Sequence, residues 1–163
     1  MSPDGLQASV EKMRQAGVPD IAIDNFRHYY QQLVEGASGL IAEDAITAVG
    51  NVPDAGELPD ASDAQAEALE QAVVVKLNGG LGTSMGMTRA KSLLPVKDGL
   101  SFLDVIARQT QALRRREGIR LPLVLMNSFH TREDSLAALE AHPELASDVP
   151  ADFLQNQEPK IRE

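Results

Sequence analysis

Val73-Val74-Val75-Lys76-Leu77-Asn78-Gly79-Gly80-Leu81-Gly82-Thr83-Ser84-Met85-Gly86, with Lys91-Ser92 shortly after it, is the stretch that decides how this chain folds. A β-branched run suited to a buried strand passes directly into eight residues of which four are glycine, and a lysine follows five residues later. Glycine lets backbone N–H groups approach an anion that a Cβ would hold away, and a lysine adds a mobile positive charge. The combination predicts a phosphate cradle, with a nucleotide as its natural guest.

Outward from this loop, the chain alternates. The first strand is predicted over 72–77. Ser101 with Asp104 forms a capping-box pattern, after which Phe102, Val105, Ile106, Gln109 and Leu113 run at helical spacing to Arg114-Arg115-Arg116 and Gly118. The arginines suit a helix C-terminus and need no phosphate to explain them. Leu121 to Met126 reads as a second buried strand, Thr131 with Asp134 as the cap of a helix carrying Leu136 and Leu139 inward, and 152–155 as the start of a third strand. Strands alternating with crossover helices predict an α/β fold with a parallel sheet covered by helices on both faces.

Upstream the texture is helical. Leu6, Val10 and Met13 mark one helix face, and Ile23, Phe26, Tyr30, Leu33 and Val34 mark a second beginning at a capping Asp20 and ending near Gly36. His28 and Tyr29 have no partners that complete a catalytic set. A shorter helix is predicted over 42–49, followed by a connection rich in proline and glycine over 50–60, and then by an alanine-rich helix over 63–71 capped by Ser62. The predicted organisation is an acidic helical section, 1–71, and the first part of a nucleotide-binding domain, 72–163.

Charge separates the same two parts. The net charge is −9, but 1–71 holds 13 acidic and 3 basic side chains whereas 72–163 holds 11 and 12. An acidic half argues against a broad nucleic-acid face, and the neutral half leaves local capture of an anion open. With no cysteine, disulfides, thiolate catalysis and thiolate metal sites are excluded. The N-terminus lacks a basic start and an apolar stretch, and no apolar run reaches membrane-spanning length, so a cytoplasmic location without membrane contact is expected.

Spacing discriminates among phosphate loops. A Walker A loop needs glycine directly before Lys-Ser/Thr, but Ala90 precedes Lys91-Ser92. A dinucleotide fingerprint needs Gly-x-Gly-x-x-Gly, and Gly80-x-Gly82-x-x-x-Gly86 carries one residue too many. Asp104, 22 residues after Gly82, sits near the place of a ribose-binding acid yet belongs to the capping box. An NAD-binding oxidoreductase is thus the weaker reading, and a glycine turn without a ligand is a further alternative.

The segment Leu77 to Gly86 with Lys91-Ser92 resembles the signature of the eukaryotic-type UTP–glucose-1-phosphate uridylyltransferase family. Pro122-Leu123-Val124-Leu125-Met126-Asn127-Ser128-Phe129 resembles that family's second strand and following loop, and Phe153-Leu154-Gln155 with Pro159-Lys160-Ile161 resembles a further element. The resemblance spans about 73–163. It implies a Rossmann-like, mostly parallel nucleotidyltransferase sheet, a Mg²⁺-dependent reaction, and UTP plus glucose 1-phosphate giving UDP-glucose and pyrophosphate. It also implies that Leu77, Asn78, Gly79 and Gly80 line the uridine and ribose, that Gly82, Thr83 and Ser84 lie along the phosphates, and that Lys91 meets the triphosphate as the catalytic cation. By the same resemblance Gln155 would complete the uracil pocket, with Asn127 and Ser128 as candidate wall residues.

Arg89-Ala90 stand where the family often has Gly-Pro, which leaves Arg89 as a candidate extra charge. The family's metal-binding aspartate, sugar-binding elements and C-terminal domain have no counterpart here, so Mg²⁺ ligands are expected outside this chain. The chain is accordingly expected to be a portion of a larger enzyme, inactive in isolation, with apolar sheet surface left uncovered. A UDP-sugar pyrophosphorylase of broader range is the nearest alternative within the class, and a noncatalytic fragment docking through 1–71 lies outside it. Oligomeric state is not legible.

Overall fold

The computed structural model describes residues 2–59 and 62–161. It separates into two compact units, Met1–Leu58 with Asn156–Glu163, and Pro59–Gln155. The division falls inside the proline- and glycine-rich connection, upstream of the 71/72 boundary expected from the change in texture. The last residue of that connection, Asp60, and the capping role expected of the Ser62 side chain lie outside what is described.

In the first unit, helix α1 (Pro3–Gln15) and helix α2 (Asp20–Val34) pair through Val10, Met13, Ile23, Phe26 and Tyr30, with Leu6 and Val18 packed against them. Helix α1 begins earlier than its apolar spacing suggests, because Ser2 caps Gly5 N–H and Pro3 occupies the first turn. Tyr30 ties the pair together, its hydroxyl donating to Ser2 O at 2.9 Å and accepting from Ser2 N–H at 3.2 Å. Asp20 is the first residue of α2, not its cap; Pro19 holds the cap position without a side-chain bond, while the Asp20 carboxylate still suits the helix dipole. The helix expected over 42–49 is reduced to one 3₁₀ turn, Glu43–Ala45, for its apolar residues Ile46 and Val49 are exposed and have nothing to pack against.

The second unit opens with helix α3 (Ser62–Glu70) and strand β1 (Val74–Asn78). After the glycine loop comes a hairpin that the strand–loop–helix reading passed over, β2 (Pro95–Lys97) and β3 (Leu100–Ser101). Asp98 and Gly99 form its turn with φ of 52° and 74°, the left-handed pair that a two-residue hairpin requires. Then follow helix α4 (Phe102–Glu117), strand β4 (Leu123–Asn127), helix α5 (Arg132–Leu139) and strand β5 (Asp152–Leu154). The sheet has the order β1-β4-β5 and is parallel throughout, in register from Val74↔Leu123 to Asn78↔Asn127 and from Leu125↔Asp152 to Asn127↔Leu154.

Both crossovers step the same way across the sheet, so α4 and α5 lie side by side and touch. The face beneath them carries Leu123, Leu125 and Asn127, all buried, and Val74 joins Ala107, Leu123 and Leu145 in its core. On the opposite face the in-register residues are Val75, Leu77, Val124, Met126 and Phe153, of which Val75, Leu77 and Phe153 are exposed. Cover by helices on both faces is therefore realised on one face by the two crossover helices of this chain.

Helix α4 turns a different side inward from the one its apolar spacing suggests. Its buried residues are Leu103, Ala107, Thr110 and Gln111, while Phe102 is exposed. Burial of the polar pair follows from their bonds: Thr110 Oγ1 donates to Ile106 O, and Gln111 Nε2 to Glu144. The capping box of Ser101 and Asp104 is present, and Gly118 closes the helix in the left-handed conformation with φ 66°. Arg114 then brackets the loops beyond, donating to the carbonyls of Leu121, Glu144 and Leu145.

Candidate functional site

A parallel sheet brings the C-terminal ends of its strands to one edge, and ligands of open α/β sheets bind outside that edge. Here β1 ends at Asn78 and continues into Gly79-Gly80, β4 ends at Asn127 and continues into Ser128, and β5 ends at Leu154 and continues into Gln155. Three candidate segments, up to 77 residues apart in sequence, thus meet at one rim.

The glycine loop leaves this rim and returns to it. Leu81 pairs with Ala90 in an isolated antiparallel bridge, Gly82 N–H donates to Arg89 O at 3.1 Å, and Lys91 N–H donates to Gly80 O at 2.9 Å. Between these ends a 3₁₀ turn, Thr83–Met85, closes on Gly86 in the left-handed region with φ 71°. The loop is therefore a closed Ω-like excursion, and Lys91 stands beside Gly80 at the strand end. Linear spacing places the lysine beyond the loop; folding puts it at the mouth.

The glycines differ in what requires them. A Cβ on Gly79 would lie 2.1 Å from Gln155 Oε1, so Gly79 is the platform on which the Gln155 amide rests. A Cβ on Gly82 would lie 2.8 Å from both Cβ and Sδ of Met87, which packs under the loop. Gly80 has an ordinary φ and no atom of the chain within 4 Å of the position of its would-be Cβ. Neither strain nor packing within the chain calls for glycine there.

Behind the loop lies a buried polar cluster. Asn78 Nδ2 donates to Asn127 Oδ1 and to Ser135 Oγ, each at 2.7 Å; Asn78 Oδ1 accepts from Ser92 Oγ at 2.5 Å. Its backbone carbonyl accepts from Thr131 Oγ1 at 2.7 Å. Asn127 Nδ2 passes the connection on to Asp152, whose carboxylate is gripped by Arg132 at 2.6 Å and 3.2 Å. The Arg132 hydrogen bond holds the Asp152 carboxyl below the usual carboxylate range. Among the described residues no buried side-chain polar atom lacks a partner.

This cluster revises several side-chain assignments. Asn78, Asn127 and Ser128 are buried, and their side chains turn into the protein. Asn78 is almost wholly buried, its side chain and its carbonyl both committed inside the protein, and Asn127 and Ser128 bond the strand ends together from within instead of presenting their side chains as a wall. Thr131 occupies the N-cap position of α5 without a capping bond, because its hydroxyl is committed to Asn78 O. Thr83 and Ser84 are exposed on the loop.

An open cleft of about 270 Å³ at the end of β1 is lined by Leu77, Asn78, Gly80, Lys91 and a second lysine, Lys76, with Phe102 and Ile106 of α4 closing one side. Lys76 stands inside the β-branched run, where a cation is the one sequence signal that it borders an open edge, and its ammonium donates to Leu77 O. Arg89, exposed, pairs with the half-buried Asp134 at 3.5 Å, so its charge is directed at α5 across a weak surface bridge. A larger cleft of about 570 Å³ in the first unit lies against Met13, Val18 and Pro159 and holds none of the candidate residues. The described residues contain no group of three His, Asp or Glu side chains placed to hold a metal ion, and none of their helices is long and apolar enough to cross a membrane.

The dinucleotide alternative loses its structural context. That fingerprint opens a helix at its last glycine, whereas here α4 begins only at Phe102, 16 residues after Gly86 and beyond a hairpin.

Comparison with known proteins bears on the same segments. The family described as UTP–glucose-1-phosphate uridylyltransferase matches residues 23–163. A UTP–glucose-1-phosphate uridylyltransferase of Solanum tuberosum is 46% identical over 93 residues, 57% of this chain and 19% of its own length. A mutant UDP-glucose pyrophosphorylase of Leishmania major, solved in complex with UDP-glucose, superposes with a TM-score of 0.84 at 40% identity, covering 99% of this chain and 33% of that one. A UDP-glucose phosphorylase of Trypanosoma brucei gives 0.81 at 38% identity, over 96% of this chain and 34% of its own. The chain thus spans about a fifth to a third of the length of these relatives. With a family match over most of its residues and a shared nucleotidyltransferase-like fold, the chain belongs to the UTP–glucose-1-phosphate uridylyltransferase family.

Proposed function

We propose that the strand-end rim is the uridine-nucleotide part of a uridylyltransferase site, and that the protein transfers the uridylyl group of UTP to glucose 1-phosphate, giving UDP-glucose and pyrophosphate. The observation that carries this is the convergence at β1: Gln155 rests on Gly79, Lys91 returns beside Gly80, and the backbone between them stays open. An amide and a row of backbone groups suit the polar edge of a pyrimidine, and an ammonium suits a triphosphate.

In the reaction an oxygen of the sugar phosphate attacks the α-phosphorus of UTP, the bond to the bridging oxygen breaks, and pyrophosphate leaves with that electron pair. No protein nucleophile is required; positioning and neutralisation of the departing charge suffice. Lys91 supplies that charge, and Gly79, Gly80, Thr83 and Ser84 supply backbone and hydroxyl donors along the nucleotide, while Gly82, buried and with its N–H committed to Arg89 O, shapes the loop. Mg²⁺, if the reaction uses it, draws its protein ligands from outside the described residues. The sugar phosphate, too, meets residues outside them. We place the protein in the cytoplasm, where its substrates are phosphorylated metabolites, with neither nucleic acid nor membrane as a partner.

Thermal shift with UTP, UDP-glucose and NAD tests the reading. Stabilisation by the uridine nucleotides and none by NAD is expected; stabilisation by NAD alone contradicts it.

A further inference from the structure

We infer that Ser92 is a positioning residue that holds Lys91 at the mouth of the nucleotide site by anchoring the lysine turn to Asn78. The inference rests on the nucleotide reading above and adds to it a device that sets the lysine.

Lys91 stands between two buried neighbours. Ala90 is fully buried and bridged to Leu81, and Ser92 is 8% exposed with its hydroxyl donating to Asn78 Oδ1 at 2.5 Å. With Ala90 buried, Ser92 bonded to Asn78 and Lys91 N–H held on Gly80 O, the exposed lysine is set at the border of the cleft that Ser92 also lines. The anchor is itself immobile. Asn78 has both amide hydrogens committed, to Asn127 and Ser135, and its carbonyl to Thr131, so its Oδ1 presents one fixed acceptor to the loop. Because a lysine side chain is long and has four rotatable bonds, an ammonium on a loosely held turn would spread its charge over many positions. Ser92 removes the turn's freedom and leaves only that of the side chain. A hydroxyl is the fitting group here: it is small enough for the buried site and can donate to an acceptor that has no other donor from the loop.

A role through Lys91 differs measurably from a role in stability. Uridine lacks the phosphates that Lys91 meets, so a positioning effect acts on UTP and spares uridine. Isothermal titration of the whole chain with UTP and with uridine, for wild type, Ser92→Ala, Ser92→Thr, Lys91→Ala and the Ser92→Ala/Lys91→Ala pair, reads this out. Expected are a loss of about tenfold in UTP affinity for Ser92→Ala with uridine affinity unchanged, recovery in Ser92→Thr, and no added loss when Ser92→Ala is placed on Lys91→Ala. Equal loss for UTP and uridine, or no loss for either while Lys91→Ala loses UTP, overturns the inference and leaves the nucleotide reading standing. A wild type that binds neither ligand overturns both. If melting shows Ser92→Ala to be unfolded, Ser92→Cys, which keeps the volume with a weaker donor, takes its place under the same criteria.

Discussion

Two groups of residues at the end of β1 behave as opposites. Asn78, Ser92, Asn127, Thr131 and Ser135 are buried, polar and mutually bonded, although Asn78 and Ser92 reach the cleft; Gly80, Thr83, Ser84 and Lys91, on the loop that leaves the strand end, are exposed. The first group spends its hydrogen-bonding capacity within the protein. The second keeps its capacity for something outside. A fully satisfied buried network is rigid and specifies one arrangement, so the exposed group inherits a fixed position without being fixed by its own bonds. Polar residues in a motif therefore need not face outward, and in this motif the asparagine serves the scaffold while Gly80 and Lys91 border the open cleft.

The comparison breaks most visibly at its two extremes. In an enzyme containing these residues, Lys91→Ala should lower turnover by about 10² to 10³ while the melting temperature stays unchanged, as steady-state kinetics and calorimetry would show. Near-normal turnover would remove Lys91 from the exposed, substrate-facing group. Asn78→Ala should do the reverse: it strands donors and acceptors on Ser92, Asn127 and Ser135, and denaturant unfolding should reveal a loss of about 3 kcal/mol. An Asn78→Ala protein as stable as wild type would show that the cluster does not hold the strand ends.

The glycines sharpen the contrast at smaller scale. Gly80→Ala should weaken UTP binding about tenfold, on the scale of one lost hydrogen bond to a charged group, without changing stability, since its Cβ meets no atom of the chain. Gly82→Ala should instead cost about 1 to 2 kcal/mol of stability, because its Cβ intrudes on Met87. Equal effects of the two on melting would erase the distinction.

The smallest effect lies away from the rim, in the capping box of α4. Asp104 accepts hydrogen bonds from Ser101 and meets His142 Nε2 at 2.8 Å, and these interactions, that from the Ser101 side chain foremost, lower its pKa from 3.8 to about 2 against the opposing effect of burial. A carboxyl with a depressed folded pKa contributes stability that is complete above the unfolded value. That contribution is lost as pH falls from about 4 towards 2. Urea unfolding at pH 5 and pH 2.5 should show a smaller acid-induced loss in Asp104→Asn than in wild type; an identical loss would mean that the pair does not couple to folding.

What the sequence disclosed follows the range of the interactions concerned. The strand-to-glycine transition, the capping box at Ser101 and the glycine stop at Gly118 are local signals, and all stand in the structure. The parallel sheet followed from strands separated by helices, and the position of Gln155 followed from family resemblance. The return of Lys91 to the strand end did not, because it is made by backbone bonds of Leu81, Gly82 and Lys91 to Ala90, Arg89 and Gly80, with a Ser92–Asn78 bond beside them, and no residue type announces such bonds in sequence. Thr131 was misread for the same reason: a threonine before a helix is a cap unless something stronger claims its hydroxyl, and Asn78 O does. The Asp98-Gly99 turn was legible and passed over, since the chain on either side is too short to show strand alternation. On α4, hydrophobic spacing missed the inward face because Thr110 and Gln111 are buried by hydrogen bonding.

The central claim, that the ends of β1 and β5 form one uridine-nucleotide site with Lys91 at its mouth, is tested most directly by mapping backbone amide shifts during titration with UTP. The largest changes are expected at Gly79, Gly80, Thr83, Ser84, Lys91 and Gln155, with little change at Met13 and Val18 beside the larger cleft of the first unit. Saturable changes confined to that cleft, with Gly79 to Ser84 and Gln155 unmoved, would contradict it.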